Sequence, residues 1–134
     1  MPAATIALLL AAQAATAAPI EGRWRSPGGN SIIDVAPCGE GWCGTVAWAS
    51  ARAKKDAARA TDQLVGTQLL SDVKAAGEGR WNGRIFIPDR NMRLNAKIEM
   101  APGGELKVSG CLAGKALCKS QLWTPVEGPL PAQE

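Results

Sequence analysis

Residues 93–100 alternate without a break: Leu94, Ala96, Ile98 and Met100 are apolar, and Asn95, Lys97 and Glu99 between them are polar. A period of two with one wet face marks a half-buried strand. Residues 105–112 repeat it, with Leu106, Val108, Gly110 and Leu112 on one face and Glu105, Lys107, Ser109 and Cys111 on the other. Pro102-Gly103-Gly104 between them is turn chemistry, so the two runs form a hairpin. Strand-like runs also cover residues 22–26, 31–36, 42–49, 65–73, 81–87 and 116–126. Gly-rich links at 27–30, 38–41 and 76–79 are short, which makes the strands they join antiparallel neighbours. Eight such runs with regular turn signals predict an all-β fold, a barrel or a sandwich.

Two segments leave this pattern. Residues 50–61 are rich in Ala, Lys and Arg with no β-branched residue before Thr61, and read as a long loop or a short surface helix. Such a segment is either a solvated connection or a lid across one end of the sheet structure. Pro125, Pro129 and Pro131 stop the strand pattern, so residues 126–134 are expected to fray.

Residues 1–17 carry no charge, centre on Leu8-Leu9-Leu10 and end in Ala15-Thr16-Ala17. This is the profile of a secretory signal peptide with an A-x-A cleavage site, although Lys and Arg are missing from its start. The apolar run is too short to span a membrane. Residues 18–134 then form one domain, large enough for a single core. The predicted location is periplasmic or secreted.

The four cysteines fit that compartment. Cys38 and Cys43 bracket four residues, and Cys111 and Cys118 bracket six. Zinc ribbons begin with closer pairs, and the chain has no His. Disulfides are the better reading, with three pairings formally open. Parity along the strands narrows the choice. With Ile33 and Val35 inward, Cys38 points outward; with Trp42, Gly44, Val46 and Trp48 inward, so does Cys43. Cys111 lies outward beside Lys107 and Ser109, and a partner at Cys118 would share that face. Both local pairs are therefore accepted without a register conflict.

Fixing Cys118 outward turns Lys119, Gln121 and Trp123 inward. Two polar side chains on a core-facing side need partners: another side chain, water or a ligand. Five Trp accompany one Phe and no Tyr, and Trp24, Trp48, Trp81 and Trp123 fall on inward faces. They either pack a core or line a cavity with directed indole donors. Trp24, Trp48, Trp81, Lys119, Gln121 and Trp123 are thus the candidate ligand-binding residues. Catalytic templates are missing. Without His there is no imidazole base for a nucleophile, the carboxylates are scattered, and no phosphate loop or metal set occurs. The reading is of a binding protein with no cofactor and no enzyme activity. The net charge of +3 is interspersed except at Arg52, Lys54, Lys55 and Arg59. That argues against nucleic acid and leaves this basic segment as a surface for an envelope protein or an anionic membrane.

Several runs taken together resemble a known family: Gly22-Arg23-Trp24, Cys38-Gly39-Glu40-Gly41-Trp42-Cys43-Gly44, Val65-Gly66-Thr67, Trp81-Asn82-Gly83, Ile87-Pro88-Asp89, and the close Cys118-Lys119-Ser120-Gln121-Leu122-Trp123-Thr124. They are similar to the bacterial exported family catalogued as domain of unknown function 2147. The resemblance implies a lipocalin-like, up-and-down antiparallel barrel of eight strands, with no established activity or cofactor. This chain departs from the family's pattern at Asp62-Gln63-Leu64 and at Pro125. The two functions carried forward are capture of a small amphipathic molecule, and a filled barrel acting through its outside in the cell envelope.

Overall fold

The computed structural model describes residues 18–112 and 118–133, so the expected signal peptide lies outside the described residues. Eight strands run in chain order: β1 (Gly22–Arg25), β2 (Ser31–Cys38), β3 (Gly41–Ala49), β4 (Gln68–Gly77), β5 (Arg80–Ile87), β6 (Met92–Met100), β7 (Leu106–Cys111) and β8 (Cys118–Pro125). Each pairs antiparallel with the next, and β8 returns to β1 to close a barrel. One helix, α1 (Ala51–Asp56), follows β3. Ser50 caps it, its hydroxyl accepting from the Ala53 amide at 3.1 Å, so the ambiguous segment begins as a short helix.

The strict alternation of β6 and β7 carries directly into packing. Ala96, Ile98, Leu106 and Val108 are buried in the core, while Asn95, Lys97, Glu99 and Lys107 are exposed. The core gathers Ile20, Trp24, Ile33, Val35, Leu70, Val73, Trp81 and Trp123 with these residues. It fills the end of the barrel where the chain enters, beside the turns that follow β2, β4 and β6. Burying a side chain of this class is worth roughly 1.5–3 kcal/mol. On the outer wall Arg23 Nε donates to Asp34 Oδ1 at 2.9 Å across β1 and β2, a half-exposed pair worth less than about 1 kcal/mol.

β4 corrects the expected boundaries. It begins at Gln68 because residues 64–67 form a turn: Gly66 has φ +95°, and Thr67 Oγ1 donates to the Gln63 carbonyl at 2.7 Å. It then runs on to Gly77 through two register shifts, beside Asp72 at φ 50°.

Trp48 is also a correction. Ile32 pairs with Trp48 but Ile33 pairs with Val46, so a bulge absorbs Ala47. Past the bulge the parity of β3 reverses: Val46 and Ala49 share the interior cluster, and Trp48 turns to the outer wall opposite Ile32. The end of the chain covers it there. Trp48 Nε1 donates to the Ala132 carbonyl at 3.0 Å, Arg23 Nη1 to the Gly128 carbonyl at 3.4 Å, and Lys54 Nζ to Gln133 Oε1 at 3.3 Å. Residues 126–133, expected to fray, therefore hold these contacts in the structure. Truncation after Val126 should cost about 1–2 kcal/mol and shift tryptophan emission to the red as Trp48 meets water. An unchanged emission spectrum and melting curve would mean that the tail adds nothing.

Candidate functional site

The links after β1, β3 and β5, with the Cys111 end of β7 and the Cys118 end of β8, lie at the other end of the barrel, because alternate connections of an up-and-down barrel share an end. A cavity of about 580 Å³ opens there. Its walls are apolar: Ile33, Val46, Leu69, Ile85, Leu94 and Val108, with Trp123 at the floor. Trp123 also belongs to the packed core, as do Ile33 and Val108, so this layer of side chains borders both the filled half of the barrel and the open half. Gly110, on the inner face of β7, keeps the space open. A side chain there would point among Leu94 Cδ1, 3.1 Å from its Cβ, and Ile85 Cγ2 at 3.5 Å.

The rim is polar. Lys119 and Gln121 come from β8, Ser26 and Asn30 from the link between β1 and β2, and Ser31 from the start of β2. Asp56 of α1 and Asp89 and Arg90 of the 3-10 turn after β5 complete it. Lys119 and Gln121 sit on the interior side of β8, since Ser120 between them meets Ser109 on the outer wall, the two hydroxyls 2.7 Å apart. Both are nevertheless exposed: β1 ends at Arg25, so no strand pairs with their stretch of β8 on that side, and the 27–29 turn packs there instead. β1 meets β8 only at Trp24–Pro125 and Arg25–Thr124, with the Val126 amide donating to the Arg23 carbonyl at 2.9 Å.

The six candidate residues separate into two groups. Lys119, Gln121 and Trp123 come together at the cavity. Trp24 and Trp81 are buried in the packed end, with Trp24 Nε1 donating to the Ile20 carbonyl at 2.9 Å, and Trp48 lies on the outer wall. Trp42 Nε1 donates to Glu21 Oε1 at 2.9 Å near the same closed end. The rim residues from the links escape a strand-parity reading. Counting which links share an end would have gathered most of them, since the breaks between strand-like runs at 27–30, 50–64 and 88–92 are each visible in the sequence.

α1 forms one side of the mouth. Ala53 and Ala57 pack against Val46, Ala49, Leu64 and Leu69, and Arg52, Lys55 and Arg59 face outward from this seat. Arg52 Nε lies 3.9 Å from Asp56 Oδ2, a loose surface pair. The cysteine sulfurs stand at bonding distance in both local pairs, Cys38–Cys43 at 2.05 Å and Cys111–Cys118 at 2.09 Å. The second pair joins directly opposed residues of β7 and β8 at the open end. Among the described residues no cluster of metal-ligating side chains forms, and no helix is long and apolar enough to cross a membrane.

No curated protein matches the chain. Among solved structures, a Helicobacter pylori protein described as belonging to the lipocalin family is similar in fold, with a TM-score of 0.62. It is 13% identical, and the match covers 80% of this chain and 82% of that one. The model of a family described as an uncharacterized protein conserved in bacteria, DUF2147, matches residues 22–125, and the chain belongs to that family.

Proposed function

We propose that this DUF2147 member is an exported binding barrel that takes a small amphipathic molecule into its open end. The observation that carries the reading is the cavity of about 580 Å³, apolar inside and polar at the rim. Ligand pockets fall at roughly 300–1,000 Å³ and have this division of lining. An eight-stranded barrel is wide enough for one small ligand once its core does not fill it. Two disulfides in a bacterial chain support export to an oxidising compartment, the periplasm or beyond. Binding is favoured over catalysis because no hydrogen-bonded nucleophile and base meet among the described lining residues; Ser26 and Ser31 bond only to each other and to backbone.

Titration with decan-1-ol, read by tryptophan emission, should give a saturable change, since Trp123 forms the floor. Gly110→Leu should weaken it by about ten-fold or more by filling the space, with far-ultraviolet circular dichroism confirming the fold. A barrel that shows no saturable change, or binds equally well with Gly110→Leu, would return the reading to a module acting through its outer surface. The basic group at Arg52, Lys54, Lys55 and Arg59 beside the mouth would then be the surface to test.

A further inference from the structure

The polar groups of the rim are unevenly committed, and this sorts the ligands the cavity accepts. Gln121 Oε1 accepts from Trp123 Nε1 at 3.2 Å, which leaves the amide nitrogen as the free end of that side chain. Asn30 Oδ1 accepts from Ser50 Oγ at 3.1 Å, so its amide nitrogen is likewise the uncommitted end. Lys119 carries three donors and no acceptor, and no hydrogen bond or ion pair engages it among the described residues. All three line the cavity, from β8 and from the β1–β2 link that packs beside it. On this side of the mouth the unused capacity is for donating, with a positive charge among the donors.

The remaining rim brings two carboxylates and one guanidinium. Asp89 stands on the link after β5, across the barrel from β1, with Arg90 next to it, and Asp56 stands on α1 after β3, where Arg52 Nε lies 3.9 Å from it. A negative head is disfavoured beside those carboxylates and favoured beside Lys119. The apolar wall and the Trp123 floor lie below both. The arrangement is polarised across the mouth as well as along the barrel axis.

We infer that the cavity is built for a single-chain amphiphile whose head is an anionic, acceptor-only group, held on the β8–β1–β2 side by Lys119 Nζ and the amide nitrogens of Gln121 and Asn30. A carboxylate and a phosphate monoester share this chemistry. The inference rests on the cavity reading above and adds the sign and place of the head. Charge-assisted hydrogen bonds are the stronger kind, and one such head should gain about ten-fold or more over a neutral one on the same chain.

The test compares four probes with one decyl chain at low ionic strength: decanoate, decyl phosphate, decan-1-ol and decyltrimethylammonium. Decanoate or decyl phosphate should bind about ten-fold or more tighter than the alcohol, and the ammonium weakest. Whichever anion binds tighter identifies the head. Lys119→Met, which keeps the aliphatic stem, should bring the anion-to-alcohol affinity ratio close to one. Lys97→Met, on the outer wall, should leave that ratio as it was. Equal affinity for the anions and the alcohol, a preference for the ammonium, or an anion preference that survives Lys119→Met would overturn the inference and leave the cavity reading standing. If no probe binds saturably, both fall.

Discussion

Replacing Trp24 by alanine is expected to remove about 3–5 kcal/mol of stability, the largest single effect in the barrel. Three losses combine at this position. The indole is buried in the closed end against Ile20, Ile33 and Val35, so truncation leaves a void among side chains that cannot all relax. Its Nε1 donates to the Ile20 carbonyl at 2.9 Å, and Ile20 is fully buried, so the acceptor loses its partner where water does not reach. Trp24 also stands opposite Pro125 at the short seam where β1 meets β8, so its truncation loosens packing at that joint. Trp24→Phe separates these terms, since it keeps a ring in the core and forfeits the hydrogen bond, at about 1–3 kcal/mol. Urea denaturation measures both as shifts in midpoint at unchanged slope. A cost below about 1.5 kcal/mol for the alanine variant would contradict a packed plug at this end. Domains of this size have a total stability of about 5–15 kcal/mol, so Trp24→Ala would remove a large share of it.

Removing both disulfides should cost about 4–5 kcal/mol, close to the Trp24 effect, with roughly 2 from Cys38–Cys43 and 2.5 from Cys111–Cys118. The rings are short, and the stabilisation grows only slowly with ring size. The two bonds sit at opposite ends of the barrel, so the single removals should add. Their functional consequences should differ. Cys38–Cys43 braces the turn beside the packed core, and replacing it by alanines should lower stability without changing affinity for a decyl-chain probe. Cys111–Cys118 pins β8 where Lys119 faces the mouth, and replacing it should lower both. Thermal melts with and without reductant provide the measurement. A reduced protein that melts within a degree or two of the oxidised one would refute the bracing role.

How much of this was legible in the sequence depended on whether one residue followed another in strict alternation. Along β6 and β7 it does, and the buried face could be read residue by residue. Parity also located Lys119, Gln121 and Trp123 on the interior side, through the requirement that Cys118 face outward. It failed at Trp48 because the bulge that absorbs Ala47 has no mark in the sequence: no Gly or Pro interrupts Val46-Ala47-Trp48. One unmarked residue was enough to move an indole from the inner wall to the outer one. The exposure of Lys119 and Gln121 was hidden for a different reason. It depends on where β1 stops, and strand ends are set by long-range pairing that local pattern does not report. Which tryptophans pack and which one borders empty space was equally beyond pattern, since the division arises from where the core volume runs out.

The brief meeting of β1 and β8 has a consequence for how the barrel moves. β5 and β6 are zipped from Arg80–Glu99 to Ile87–Met92, whereas the closing seam is held at Trp24–Pro125, Arg25–Thr124 and one further amide bond. Register places the backbone groups of Thr124 and Val126 toward β1, and alternation then turns those of Ser120 and Leu122 the same way, beyond the point where β1 ends. Mechanically the molecule is a split ring: of its strand joints the closing seam has the fewest paired residues, so thermal opening concentrates on that one. Parting there would widen the mouth sideways, along the strand that carries Lys119 and Gln121, while the other seven joints stayed shut.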